Sequence, residues 1–116
     1  MKLTLESLKE HGAFTGRPVE KEISWKQGEK ELTATVFIRP PGYHAALQGI
    51  HAAQKNSDTI AVYISSCVCD EHGNAVFTPE DITGESDPER GPLDGPITVA
   101  ILLAIQEVVN LGKTMN

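Results

Sequence analysis

Between Pro96 and Leu111 the chain reads PITVAILLAIQEVVNL, a helical pattern that is apolar on nearly every side, with only Thr98, Gln106, Glu107 and Asn110 polar. A surface helix keeps its apolar residues on one stripe, so one that is apolar all round needs cover from its own domain or from a partner. Upstream, Pro18 to Arg39 alternates with period two: Val19, Ile23 and Trp25, then Leu32, Ala34, Val36 and Ile38 across Lys26-Gln27-Gly28-Glu29. That pattern predicts a β-hairpin over 18–39, with Trp25 at the centre of its buried face, ended by Pro40-Pro41-Gly42.

Tyr43 to Lys55 is Ala-rich, with apolar residues at 43, 46, 47, 50 and 53, the spacing of an amphipathic helix. Tyr43 is expected to pack on the hairpin while His44 faces solvent. The span 58–68 fits either a strand or a helical stripe of Ile60, Ile64, Cys67 and Val68, and Ser57 or Asp58 as a cap favours helix. Asp70 to Asn74 forms a tight turn and Ala75 to Phe77 a short extended piece. Thr78-Pro79-Glu80-Asp81 opens a further helix. Glycines, prolines and acidic residues crowd 84–95, which predicts a mobile acidic loop that keeps assemblies soluble by charge repulsion or moves aside when a partner binds. Gly112 is expected to stop the last helix. At the other end, 1–17 is either a loose arm or a short helix that Thr4 caps and Gly12 closes.

The 116 residues make one domain with few large aromatics, and no apolar run approaches the roughly 20 residues that span a bilayer. The expected product is soluble and cytoplasmic. Residues 1–55 hold eight Lys/Arg and six Asp/Glu, and residues 56–116 hold two and ten, so the balance falls from +2 to −8. A half so acidic, and basic residues scattered among Glu neighbours, exclude nucleic acid as a partner.

Candidate chemistry is sparse. Cys67, Cys69 and His72 spell C-x-C-x-x-H, three soft ligands where a closed zinc site needs four, and the cysteines read more simply as small buried hydrophobes. The acidic turn fails as a calcium loop, since its sixth position is Ala75 and its twelfth is Asp81. Ser65 and Ser66 lack a nucleophile-exposing turn, and Gly112-Lys113-Thr114 lacks the glycine loop of a phosphate cradle. No catalytic residue, metal site or cofactor is assigned.

Three blocks, PVEKEISW…TATVFIRPPGYHA, ISSCVCDEHGNAVFTPEDITG and LDGPITVAILLAIQEVVNLGK, resemble the tail assembly chaperones of phages with long non-contractile tails, from about Pro18 to Lys113. The most telling stretch is Cys69 to Thr78, followed by Asp81-Ile82-Thr83-Gly84 and a closing apolar helix. The resemblance implies a protein that coats the tape measure protein in the host cytoplasm, promotes tail tube assembly and is absent from the virion. It also implies, in many such phages, a longer frameshifted product that recruits tail tube protein.

Residues and resemblance together predict an α+β domain, an N-terminal β-hairpin packed on three or four helices, with 43–111 the helical part. The function expected is a non-enzymatic chaperone that self-associates. Ile97, Ile101, Ile105 and Val108 form one stripe of the last helix, and Leu102 and Val109 lie on others. These six are the candidates for client binding or self-association, with one stripe reserved for the monomer's own core. The rival readings are a structural tail or head-tail joining component of the virion, and a small Cys/His metal-dependent enzyme.

Overall fold

The computed structural model describes residues 1–13, 16–55 and 58–114, with side chains as far as Asn110. Alternation sets the hairpin: β1 (Val19–Gln27) pairs antiparallel with β2 (Lys30–Ile38) from Val19↔Ile38 to Gln27↔Lys30. The loop is only Gly28-Glu29, tighter than the expected turn, and Gly28 takes the φ of +67° that such a loop favours. Ile23 and Trp25 thereby share a face with Ala34, Val36 and Ile38, while Glu20, Glu22 and Ser24 share the solvated face with Thr33 and Thr35.

Four helices follow the hairpin. After Pro40-Pro41-Gly42 comes α2 (Tyr43–Gln54), then α3 (Thr59–Cys67), α4 (Pro79–Thr83) and α5 (Gly95–Thr114). Asp58 caps α3, its carboxylate accepting the Ala61 N–H at 2.9 Å; Ser57 lies outside the described residues. A capping box of Thr78 and Asp81 with Pro79 starts α4, and Gly84 ends it at φ +92°. Along the inner face of the sheet runs α5, chiefly against β1, and it also touches α3. Ile38, Ile64, Cys67, Ile101 and Ile105 are the fully buried centre. The arm forms α1 (Leu5–Glu10), capped by Thr4, with Gly12 beyond it at φ +67°.

Several expectations need correction. Val68–Cys69 is a third strand, β3, antiparallel to β2 at Phe37 and Ile38; two residues are too few to show a period. Ala75 makes one bridge to Cys69 and no strand of its own. Trp25 sits at the edge of the core, its indole N–H directed at the Gln27 side chain, and Ile38 holds the centre. Tyr43 is 75% exposed and does not cover the hairpin; Ile60 is exposed as well. Gly112 does not stop α5, which runs to Thr114: one glycine costs about 1 kcal/mol in a helix, too little to end it.

The segment expected to be a mobile loop, 84–95, is tied to α4 by its backbone. Ser86 N–H reaches Glu80 O at 3.2 Å, Leu93 N–H reaches Ile82 O at 2.9 Å, and Arg90 donates to Asp81 O and Ser86 Oγ. It contains turns and no regular element, as its composition dictates, and Leu93 packs on the core.

Candidate partner-binding groove

The cysteines, Ser65, Ser66 and Asp70 are each engaged in local structure. Cys67 and Cys69 are buried, and burial pushes the Cys67 thiol up to about 11, neighbouring Cys69 adding to the shift and the Arg39 guanidinium opposing it. Cys69 is likewise raised by burial against the pull of Arg39, and its Sγ faces Phe37 O at 3.6 Å. Arg39 donates to the Gly73 carbonyl, clamping the 70–74 turn onto the end of β2. In that turn Asp70 accepts the Asn74 and His72 N–H groups at 2.9 and 2.8 Å, bonds that lower its carboxyl below the ordinary value, Asn74 foremost. His72 faces solvent 3.4 Å from Glu71. Among the described residues no three His, Cys, Asp or Glu side chains converge, so C-x-C-x-x-H is not gathered into a site. The Ser65 and Ser66 hydroxyls both donate to Val62 O, at 3.0 and 2.8 Å. That bond holds each hydroxyl to its own helix.

A concavity of about 290 Å³ lies beside these residues, lined by Arg39, His44, Ser65, Ser66 and Cys69 among others, and two larger ones lie elsewhere. A cleft of about 530 Å³ between α2, α3 and α4 has mixed polar walls, His51 and Lys55 facing Asp58, Glu80 and Glu85. A second, of about 370 Å³, has α3 as its floor and α2 and α5 as its walls: Thr59, Ile60 and Tyr63 below, Ala45 and Gly49 on one side, Leu102 on the other. No charged residue lines it.

The origin of this trough is in the sequence of α2. That helix meets α3 through small residues: Ala52 is buried and Ala45 and Gly49 are half-buried. Its larger apolar residues, Tyr43, Leu47 and Ile50, point outward, Ile50 being 56% exposed. The opposite wall repeats the pattern. Ile101, Ile105 and Val108 of α5 are buried against the hairpin, while Val99 and Leu103 stand exposed on the far side, Leu103 at 60%. An uncharged trough lined by Ile60, Tyr63 and Leu102, on a domain that leaves further apolar residues of α2 and α5 exposed, has the form of a seat for an amphipathic helix.

The six residues singled out from sequence therefore divide. Ile101, Ile105 and Val108 belong to the monomer's core; Ile97, Leu102 and Val109 are half-buried against it, and Leu102 lines the trough. Tyr43, Leu47, Ile50 and Ile60, packing positions by periodicity, stand at the surface instead. The signal that could have found them is the run of Ala and Gly on the opposite side of α2, which marks the side where a neighbouring helix comes close.

No helix among the described residues is long and apolar enough to cross a membrane. The family model described as phage tail assembly chaperone matches residues 6–109 of the chain. No curated protein and no solved structure matches it.

Proposed function

Since this chain belongs to the phage tail assembly chaperone family, we propose that it is a non-enzymatic chaperone that receives an amphipathic helix of the tape measure protein in the trough formed by α2, α3 and α5. The observation that carries this reading is the trough itself, uncharged and lined by the apolar Ile60, Tyr63 and Leu102, with Ile60 57% exposed in its floor. A long helical client presents apolar residues at i, i+3, i+4 and i+7, and several copies of the chaperone seated along it would hide that stripe during tail tube assembly. The chaperone acts in the host cytoplasm, self-associates and leaves before the virion is complete. A longer frameshifted product would bring tail tube protein to the same complex.

Co-expression with the tape measure protein of the same genome, read by pull-down and size-exclusion light scattering, tests this. The expected result is a soluble complex with many copies per client, and a large loss of complex in Ile60→Glu and Leu103→Glu, which alter exposed positions. If the client stays insoluble, or both variants still solubilise it, the reading fails. Recovery of the chain in purified particles would point instead to a virion component.

A further inference from the structure

Helix α1 is well capped and has nothing to lean on. Thr4 and Ser7 form a reciprocal capping box, and beyond the helix the Ala13 N–H returns to Leu8 O at 2.9 Å. Yet α1 buries no residue and makes no packing interface with another described element. Leu3 and Leu5 stand 79% and 60% exposed. Helices shorter than about 12 residues are marginal in water, so a six-residue helix persists when its apolar side rests on a surface. Within one chain that surface is not reached. The molecule measures 52 × 34 × 22 Å with a radius of gyration of 15.8 Å, against about 13 Å for a compact chain of this length.

We propose that α1 of one copy docks, leucines downward, in the α2–α3–α5 trough of a second copy when no client is present, and that the client helix displaces it. The idea rests on the reading of the trough as the client's seat. The fit is chemical: Leu3, Leu5 and Leu8 form the arm's apolar side, and the trough is uncharged. Charge then chooses between arm and body. Residues 1–17 carry three Lys/Arg and two Asp/Glu, +1, whereas the other 99 residues carry seven and fourteen, −7. Two whole bodies repel each other, whereas the arm, weakly positive, brings no added repulsion when it meets a neighbouring body. Because arm and trough are different surfaces, the contact is head-to-tail, and each copy has one of each to offer.

Light scattering on the full chain from roughly 10 to 500 µM, the range of a small transient interface, reads the association. An arm variant, Leu5→Ser with Leu8→Ser, touches no buried residue, and a trough variant, Ile60→Glu with Leu103→Glu, touches exposed ones. The wild type is expected to associate with rising concentration and each variant to remain monomeric. An equimolar mixture of the two variants should form a one-to-one dimer, because one intact arm then meets one intact trough. A wild type that stays monomeric, an arm variant that associates like wild type, or a mixture that forms no dimer overturns the proposal. Client binding separates the two readings. The arm variant should bind tape measure protein about twofold more tightly where half of the wild-type troughs hold an arm. If it associates like wild type and still binds client, the arm proposal falls alone. If the variant mixture dimerises while the trough variant binds client normally, the client reading falls alone.

Discussion

Lys21 Nζ on β1 lies 2.8 Å from Glu107 Oε2 on α5, tying the hairpin to the long helix beside it. Lys21 occupies an inner-face position opposite Val36, so its stem lies in the apolar layer and only its head emerges to the carboxylate. Glu107 is largely exposed, which keeps the pair weak. Glu107→Gln should cost roughly 0.5 kcal/mol at low salt and less as salt rises, whereas Lys21→Met should be neutral or stabilising. Urea denaturation at two ionic strengths checks both.

Gly84 closes α4 where any side chain would collide. Its φ is +92°, and a Cβ there would come within 2.6 Å of Pro92 N and 2.7 Å of Gly91 C. Gly91, at φ +78°, has open space around the same position. Gly91→Ala should therefore cost about 1–2 kcal/mol, the price of a left-handed non-glycine residue, and Gly84→Ala clearly more, because the 84–93 turn must also shift. Comparing the two denaturation midpoints isolates the collision.

The Cys67 thiol gives the fold an alkaline limit. Its value of about 11 in the folded chain lies above the ordinary 9.0, so the folded state holds that proton longer than the unfolded state. The resulting stability is complete below pH 9, declines as pH rises and is gone above about 11, a span of roughly 2–3 kcal/mol. Cys67→Ala should flatten stability between pH 9 and 11 while lowering it at neutral pH. Alkylation of Cys67 at pH 8 should await unfolding.

At the acid end the α4 cap is the sensor. Asp81 accepts the Thr78 N–H and the Ser86 hydroxyl, each at 2.9 Å, and these bonds, Thr78 foremost, hold its carboxyl below the ordinary 3.8. Since the folded value is the lower one, the cap's contribution is present above pH 3.8 and is lost as pH falls through the folded value. Asp81→Asn should remove that part of the acid transition in a melting series from pH 2 to 6. Thr78→Ala should cost about 1 kcal/mol at neutral pH.

What the chain discloses before folding depends on how local its cause is. The hairpin is written in period-two alternation broken at Gly28, and α3 and α4 are announced by the side chains of Asp58 and Thr78, which satisfy N–H groups only three residues away. The buried stripe of α5, Ile97 to Val108, follows from helical spacing alone. In α2 the same logic points the wrong way, since periodicity finds the apolar side of a helix but not what lies beyond it. There Ala52 is buried and Ala45 and Gly49 turn to the α3 side, where they border the open trough, while Tyr43 and Ile50 face out. The two-residue β3 is set by its antiparallel pairing with Phe37 and Ile38 of β2, a partner about thirty residues away in the chain. The trough needs three helices and no motif of its own, so a protein-binding role is hinted at only by the excess of apolar residues in 96–111 and by the resemblance of Cys69 to Thr78 and its flanks to a known family.

The seam of Ala45, Gly49 and Ala52 has a mechanical consequence. Small side chains give little apolar area to the α2–α3 contact, and Ala52 is the one buried residue of α2, so lifting this helix forfeits far less than disturbing α5. One wall of the trough is thus compliant and the other rigid. A seat of that kind yields a little for a bulky side chain and closes again over a small one, so it suits a filament whose successive turns are never the same.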